Sequence, residues 1–507
     1  MSAAPRSQIV DGELRVDGEP FLILGAELHN SSSSTSTYMA GQWQRLQNAG
    51  ANTVLAAVSW AQWEPDEGVF DGRVVDHLLD GARRHGLRLV LLWFGSWKNG
   101  VSSYCPTWVK LDSDRFPLAR AADGVPLQAL SVFSVENRDA DARAFAALMR
   151  HLRIADAIDG TVILVQVENE VGLLTTARDH SDAAGSAWNA PPPSALAHEA
   201  SWRLTNDDED RASELFMAWH YATYVDHVAA AGQREWSLPM YANAWLDSHA
   251  DPAAMNGGQQ PGEYPSGGPI PRVLPAWRAA APSLSFFAPD IYTDDVADRS
   301  REYLDACGIL FLPELKRTAP GELFEAIGAN GAIGVSPFGI DSAPEQVLDV
   351  LARAYRQLAA LAPELLDARR RGDVRGIYVT EQHPDASFSL GEYDFVASRD
   401  FDPSGGGEYE DGYAVVLRQH DGRFLIAGHG VILRARHSRR GVSAWVLECS
   451  ELAIDGSGDV IRYLNGDETG GGEIIRITRS DPPGFGPIPI AASVSGVLRF
   501  SLYSRPE

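Results

Sequence analysis

The stretch Thr161-Val162-Ile163-Leu164-Val165-Gln166-Val167-Glu168-Asn169-Glu170-Val171-Gly172 constrains this chain more than any other. A run of β-branched and aliphatic residues ends abruptly in Gln, Glu, Asn and Glu, the pattern of a strand buried on both faces. Two carboxylates at the end of such a strand cost stability unless they open into a cleft or are paired. In parallel α/β proteins, ligands and chemistry sit at the carboxyl ends of the strands. Period-2 alternation places Gln166, Glu168 and Glu170 on one face, with Val165 and Val167 on the other. Taken alone, the stretch fits a salt-bridged strand end as well as a catalytic one.

The flanking chain supplies the context. Leu14-Arg15-Val16, Asp17-Gly18-Glu19-Pro20 and Phe21-Leu22-Ile23-Leu24 read as a hairpin, with Asp-Gly as its turn. The Ser/Thr run at 31–37 reads as a loop over a site, because a helical segment follows at 39–49. Buried strands then alternate with helical segments at 73–85, 139–156, 219–232, 272–281 and 344–366, the first and last of them amphipathic. Strands centred near residues 22, 54, 90, 163, 241, 286, 310 and 333 make eight units. That is the count of an α/β protein with a (β/α)8 TIM barrel and long βα loops. A doubly wound sheet is the structural alternative, but no G-x-G-x-x-G follows any strand. Near Gly376 the pattern changes to short, turn-bounded runs such as Ala414-Val415-Val416-Leu417 and Arg423-Phe424-Leu425-Ile426-Ala427. The expected organisation is a catalytic barrel with an N-terminal β-hairpin over 1–370, then a smaller antiparallel β-sandwich domain over 371–507. The glycine clusters at 405–407 and 470–472 read as its turns, since no helix follows a strand there.

With 507 residues, 45% apolar and 22% charged, the chain can bury one large core and a smaller one. A formal net charge of −25 argues against a nucleic-acid partner, which needs a basic footprint. Cys105, Cys307 and Cys449 lie far apart, so neither a disulfide framework nor a zinc knuckle is indicated. Residues 1–6 have no apolar h-region and no run approaches membrane-spanning length, so a cytoplasmic protein with no membrane partner is expected. The Asn30-Ser31-Ser32 sequon is idle in that setting.

A barrel enzyme draws its catalytic groups from the ends of several strands. Here those ends offer Glu27 and His29; Ser59, Trp60, Gln62, Trp63 and Glu64; Trp93 and Trp97; Asn169 and Glu170; Asn243 and Trp245; Asp290 and Tyr292; and Glu314. Acids at the ends of the fourth and seventh strands face each other across a small barrel. Tryptophans on the same rim offer flat apolar faces to a sugar ring. Paired carboxylates, aromatic platforms and amide or hydroxyl donors together make a glycosidase site.

Several of these stretches resemble one family. Gln166-Val167-Glu168-Asn169-Glu170-Val171-Gly172 resembles the acid/base strand of glycoside hydrolase clan A, and its Glu-Asn-Glu-x-Gly form resembles family 35, the β-galactosidases. Trp60, Glu64-Pro65 and Gly68-Val69-Phe70-Asp71 resemble that family's second-strand signature. Leu92-Trp93-Phe94-Gly95-Ser96-Trp97-Lys98-Asn99-Gly100 and Leu312-Pro313-Glu314 are similar to a bacterial branch that also carries a C-terminal β domain. The resemblance implies retaining hydrolysis of terminal β-D-galactosides, with Glu170 as acid/base and Glu314 as nucleophile. It also implies that Glu64 and Asn169 bind sugar hydroxyls and that Tyr292 orients the nucleophile. Glu27, Trp60, Trp93, Trp97, Asn243 and Trp245 complete the expected substrate-binding set. Two places depart from the family: Trp60-Ala61-Gln62-Trp63-Glu64 stands where Trp-Asn-x-His-Glu is usual, and Ala26-Glu27-Leu28-His29 where Gly-Glu-x-His is.

The alternatives are structural or neighbouring in function. Glu168 reads as a buried partner, paired with an arginine of the barrel. Each tryptophan could fill the core instead of stacking on sugar. His29 and His180 read as hydrogen-bonded loop residues. His198-Glu199 lacks the second His of a zincin helix, and Asn206-Asp207-Asp208-Glu209-Asp210 lacks calcium-loop spacing, so no metal and no cofactor are expected. No serine sits in a G-x-S-x-G elbow. The enzymatic alternative is a β-glucosidase or a transglycosylase with the same carboxylate pair. The non-enzymatic one is a carbohydrate-binding protein. The expected partner is a glycoside or oligosaccharide, and a homo-oligomer is compatible with the sequence.

Overall fold

A computed structural model describes residues 6–196, 202, 209–247, 258–400, 410–479 and 491–506. His198 and Glu199, residues 206–208 of the acidic run and the glycines at 405–407 lie outside the described residues. Eight parallel strands close into a barrel: β1 (Ile23–Glu27), β2 (Thr53–Ser59), β3 (Arg88–Lys98), β4 (Val162–Asn169), β5 (Met240–Trp245), β6 (Phe286–Ile291), β7 (Leu312–Leu315) and β8 (Gly334–Pro337). The helices that follow them in turn are α1 (Trp43–Asn48), α2 (Arg73–Arg84), α3 (Val135–Ala155), α4 (Glu209–Glu235), α5 (Leu274–Ala280), α6 (Val296–Cys307), α7 (Pro320–Gly328) and α8 (Glu345–Arg370). The expected (β/α)8 barrel is the observed one. Ahead of it, Ser7–Val10, Glu13–Val16 and Glu19–Pro20 pair as a small antiparallel sheet. The Asp17-Gly18 turn is built from two residues at φ 56° and 85°, as a tight hairpin requires.

Side chains of β4 from Val162 to Val167 are buried without interruption, which is why the run reads as apolar on both faces. α4 extends well beyond the 219–232 core of its sequence pattern, and Glu209 and Asp210 form its first turn, where acids suit the helix dipole. The helical pattern at 39–49 is broken into Ser36–Met39 and α1. Among the described residues, no helix is long and apolar enough to cross a membrane.

By compactness the chain divides into Met1–Gln47, Ala51–Lys316 and Ser336–Ser342 as one unit, and Asn48–Gly50, Arg317–Val335 and Ala343–Glu507 as the other. In the second unit two antiparallel sheets form a sandwich. One holds β9 (Val374–Val379), β12 (Gly412–Arg418), β13 (Phe424–His429), β18 (Val497–Pro506), β15 (Val442–Leu452) and β16 (Val460–Tyr463), in that order. The other holds β10 (Asp385–Leu390), β11 (Tyr393–Arg399), β14 (Val431–His437) and β17 (Ile475–Ile477). Their shared core joins Ile377, Val416, Ile426 and Phe500 of the first sheet to Leu390, Phe395, Leu433 and Ile475 of the second. Gly470, Gly471 and Gly472 all have positive φ, so this cluster is the turn its composition suggests.

In this unit α7 lies close on β9 because two glycines face each other. A Cβ on Gly328 would stand 2.7 Å from the Gly376 Cα, and one on Gly376 would stand 2.6 Å from the Ala329 nitrogen. Neither obstacle is a flexible side chain, so a methyl group must push backbone. Gly328→Ala is expected to destabilise the protein by about 1–3 kcal/mol, read as a lower urea midpoint at unchanged slope. An unchanged midpoint would show that the helix shifts freely.

Candidate active site

At the carboxyl ends of the barrel strands lies a cavity of about 300 Å³, lined in part by Lys98, Asn99, Glu170, Trp245, Asp247, Asp290, Tyr292 and Glu314. Its position follows from the barrel, but its contents depend on an irregularity in β3 and β4. Trp93 pairs with Val167, and the next paired residues are Lys98 and Asn169. Five steps along β3 therefore match two along β4, and β3 bulges outward over Phe94–Trp97. At the end of β4 and just past it, Glu168 and Glu170 adopt φ of 62° and 44°, the left-handed region that side-chain-bearing residues rarely occupy.

The expected alternation fails at this point. Glu168 turns away from the cavity: its Oε2 accepts the Trp97 N–H at 2.7 Å, and its side chain meets Asp141 of α3. Its partner is thus a second acid and not an arginine. Burial, then the Asp141 charge and hydrogen bond, push the Glu168 carboxyl well above its ordinary range. Burial also raises Asp141, against bonds from Glu168, Ser96 and Trp93. Two buried acids placed this close favour a neutral carboxyl on one of them. Gly95 is required beside them, since a Cβ there would lie 2.5 Å from Glu168 Oε1 and 2.8 Å from Asp141 Oδ1.

Glu170 turns inward. Its backbone N–H donates to Asn243 Oδ1 at 3.0 Å, and Asn243 Nδ2 donates to Asp290 Oδ2 at 2.5 Å, so one amide positions two acids. Carboxyl oxygens of Glu170, Asp290 and Glu314 all lie within 4.8 Å of one another. Opposite them, Lys98 Nζ stands 4.0 Å from Glu170 Oε2. Three acids so close could attract a cation, and the ammonium of Lys98 is the cation beside them.

Burial pushes the Glu170 carboxyl up to about 7; Lys98 opposes that rise and Glu314 adds to it. Asp290 rises well above the carboxylate range through burial, then through Glu314, Glu170 and Glu27. Glu27 rises likewise, through burial first and then Glu314. Burial also disfavours a charged Lys98, but Glu170, Glu314, Glu27 and Asp290 outweigh it and hold the ammonium protonated. The Tyr292 hydroxyl donates to Glu314 Oε1, and burial with the Glu314 charge keeps that phenol protonated.

The cavity brings together Glu170, Glu314, Tyr292 and Trp245 from the expected set. Asn243 on β5 bonds the Glu170 backbone and Asp290, and Glu27 is buried on β1; neither is among the lining residues. Asn169 is buried, and neither polar atom of its amide has a hydrogen-bond partner among the described residues. Four other expectations are corrected. Trp60 Nε1 donates to Glu64 Oε2 at 2.7 Å and Gly68 N to Glu64 Oε1 at 2.7 Å, so Glu64 closes the turn after β2 and does not line the cavity. Trp93 donates to Asp141 Oδ1 at 2.9 Å, and Trp97 donates to the Leu130 carbonyl while its ring contacts Tyr221 and Tyr224. Trp60, Trp93 and Trp97 are fully buried packing and hydrogen-bonding groups. His29 is the loop residue expected, with Nε2 2.7 Å from Ser342 Oγ.

Lys98, Asn99 and Asp247 were not among the expected binding residues, and Asp290 was seen only as a polar strand end. Strand-end position singles out Asp290 and Lys98 once the length of β3 is known. Asp247 lies past its strand, and its signal is tertiary.

Residues 13–219 match the model for glycosyl hydrolases family 35. Residues 351–476 match a domain of unknown function, DUF5597. No curated protein matches the chain in sequence. Similar solved structures include a β-galactosidase from the psychrophilic Marinomonas ef1, at 13% identity and TM-score 0.48, covering 67% of this chain and 60% of that one. A β-galactosidase from Bacillus circulans sp. alkalophilus shares 14% identity at TM-score 0.48, covering 68% of this chain and 57% of that one. The catalytic domain of a β-amylase from Paenibacillus polymyxa shares 12% identity at TM-score 0.49, over 65% of this chain and 96% of that one. The chain thus spans less than two thirds of the two β-galactosidases.

The Glu168–Asp141 pair makes a prediction with a definite sign. A carboxyl whose folded pKa is raised contributes stability that is complete below its unfolded pKa and is lost as pH rises through the folded value. Glu168→Gln keeps a donor toward Asp141 and an acceptor for Trp97 without a titrating proton. Between about pH 5 and about pH 9, urea midpoints of the wild type should fall more steeply than those of Glu168→Gln. Parallel slopes would place the retained proton elsewhere.

Proposed function

We propose that this protein is a retaining exo-glycosidase that hydrolyses terminal non-reducing β-D-galactosides by double displacement, with Glu170 as acid/base and Glu314 as nucleophile. The observation that carries the reading is the approach of the Glu170 and Glu314 carboxyl oxygens to within 4.8 Å. Retaining enzymes hold their carboxyl groups about 5–5.5 Å apart, whereas inverting enzymes leave about 6.5–9.5 Å for a water molecule. A cavity of about 300 Å³ is at the small end of ligand pockets, which supports a site for one sugar ring and hence exo action.

In this mechanism Glu314, oriented by the Tyr292 hydroxyl, attacks the anomeric carbon while Glu170 protonates the departing glycosidic oxygen. Burial keeps the proton on Glu170 near neutrality. Water then attacks the glycosyl-enzyme from the vacated side, and the Glu170 carboxylate takes its proton. Asn169, with its unsatisfied buried amide, and Trp245, half-buried at the rim, suit a hydroxyl contact and an apolar sugar face. The matched family 35 segment supports the galactoside assignment.

The test is a panel of p-nitrophenyl β-glycosides. The galactoside should lead the glucoside, and Glu170→Gln and Glu314→Gln should each lose about a thousandfold or more in kcat/KM on an unactivated galactoside. Proton NMR at first turnover should show the β-anomer, and EDTA should leave the rate unchanged. For the wild type, kcat/KM should fall on the alkaline side with an apparent pKa of about 7, as Glu170 loses the proton it donates. A glucoside in the lead would overturn the galactoside assignment, and an α-anomer would overturn the mechanism.

A further inference from the structure

Lys98 is a cavity residue to which this chemistry gives no part. It is 5% exposed, and its ammonium faces acids from four directions: Glu27 on β1, Glu170 beyond β4, Asp290 on β6 and Glu314 on β7. Tyr241 on β5 and Tyr292 after β6 face the same acids, and Asp247 lies at the cavity edge. Lys98 is the one cationic side chain lining the cavity among the described residues.

An ordinary structural counter-ion offsets a charge that stays where it is. Here the charge moves. In the first step the bond from the anomeric carbon to the glycosidic oxygen breaks and the bond to Glu314 forms. The Glu170 proton leaves with the departing oxygen. Glu314 becomes a neutral ester and Glu170 a carboxylate. In the second step the water oxygen bonds to the anomeric carbon, its proton returns to Glu170, and the ester electrons return to Glu314. One negative charge is present throughout and only its position changes.

Resting on the function proposed above, we propose that Lys98 is the stationary counter-cation for a charge that alternates between Glu314 and Glu170, and that it thereby sets the pH at which Glu170 gives up its proton. Lys98 acts through these carboxylates and is a positioning residue. A compact ammonium near Glu170 can favour the carboxylate there without adding a rigid planar group to the sugar cavity. An opposite charge at this range moves a carboxyl pKa by about 1–3 units. Removing it must let Glu170 hold its proton to higher pH.

The experiment is the pH profile of kcat/KM for the wild type, Lys98→Met and Lys98→Arg on the unactivated methyl glycoside of the sugar that leads the panel, with folding checked by circular dichroism. In Lys98→Met the alkaline limb should move up by about one pH unit or more, and in Lys98→Arg it should stay near the wild-type position. A merely structural lysine would lower rates or stability without moving the limb. A folded Lys98→Met whose limb does not move overturns the proposal, as does a Lys98→Arg limb displaced by the full unit. If Lys98→Met does not fold, Lys98→Arg decides by the same criterion. Glu170→Gln separates the two readings: wild-type turnover in that variant sinks the proposed function itself. Loss of turnover there, with an unmoved Lys98→Met limb, sinks only the role of Lys98.

Discussion

The site depends on a strand end that abandons its own pleat. Glu168 and Glu170 are two residues apart, and a regular strand would point both into the barrel. Left-handed backbone at both positions sends Glu168 outward to Asp141 and Glu170 inward to the cavity. Such residues cost on the order of 1–3 kcal/mol each and persist only where their surroundings over-determine them. Here the surroundings are specific. Asp141 Oδ2 accepts Ser96 N–H at 3.1 Å and Ser96 Oγ–H at 2.6 Å, while Tyr224 lies 2.8 Å from that hydroxyl. The same bulge returns Lys98 to the cavity beside Asn169. Glu170 and Lys98 are therefore positioned by one irregularity.

The electrostatic logic follows from that geometry. Glu27, Asp290 and Glu170 are buried near Glu314, so each raises the proton affinity of its neighbours, and Lys98 counters part of that field. Without a cation, so many buried acids would favour holding every proton, and a nucleophile has to be ionised. With an excess of cations the acid would be lost instead. One ammonium among four carboxyl groups allows protonated and ionised acids to coexist a few ångströms apart.

The barrel was legible because its buried strands read as short, largely apolar runs between helical segments, although α6 and α7 were not among the segments read. Glu170 and Glu314 were legible for a related reason: acids at the ends of buried strands need a cleft or a partner. The tryptophans were not. Trp93 and Trp97 sit on β3, and which face a residue takes there is set by the register break against β4, which no local pattern records. Glu64 misled because its turn, closed by Trp60 and Gly68, makes the same residue types useful for folding. The pairing of Glu168 with Asp141 was hidden because the sequence shows an acid but not the proton that lets it sit beside another acid.

With three of the four expected aromatic platforms withdrawn into packing, recognition in the cavity falls to polar groups whose orientation must be fixed from behind. Asp247 shows how this is done. Arg272 Nη1 reaches its Oδ2 at 3.2 Å and Arg299 Nη2 its Oδ1 at 3.2 Å. Arg272 is itself fixed by Glu214 through Nε at 2.9 Å and by the Tyr264 hydroxyl at 2.6 Å, and that hydroxyl donates to Glu214 at 2.6 Å. A carboxylate held on both oxygens cannot swing to follow a ligand, yet each oxygen keeps a free lone pair. Rigid polar groups of this kind discriminate by leaving a buried charge unpaired when the wrong hydroxyl pattern enters, a larger effect than a lost aromatic contact provides. Under the proposed function, the network behind the walls of the cavity would matter to specificity as much as the walls.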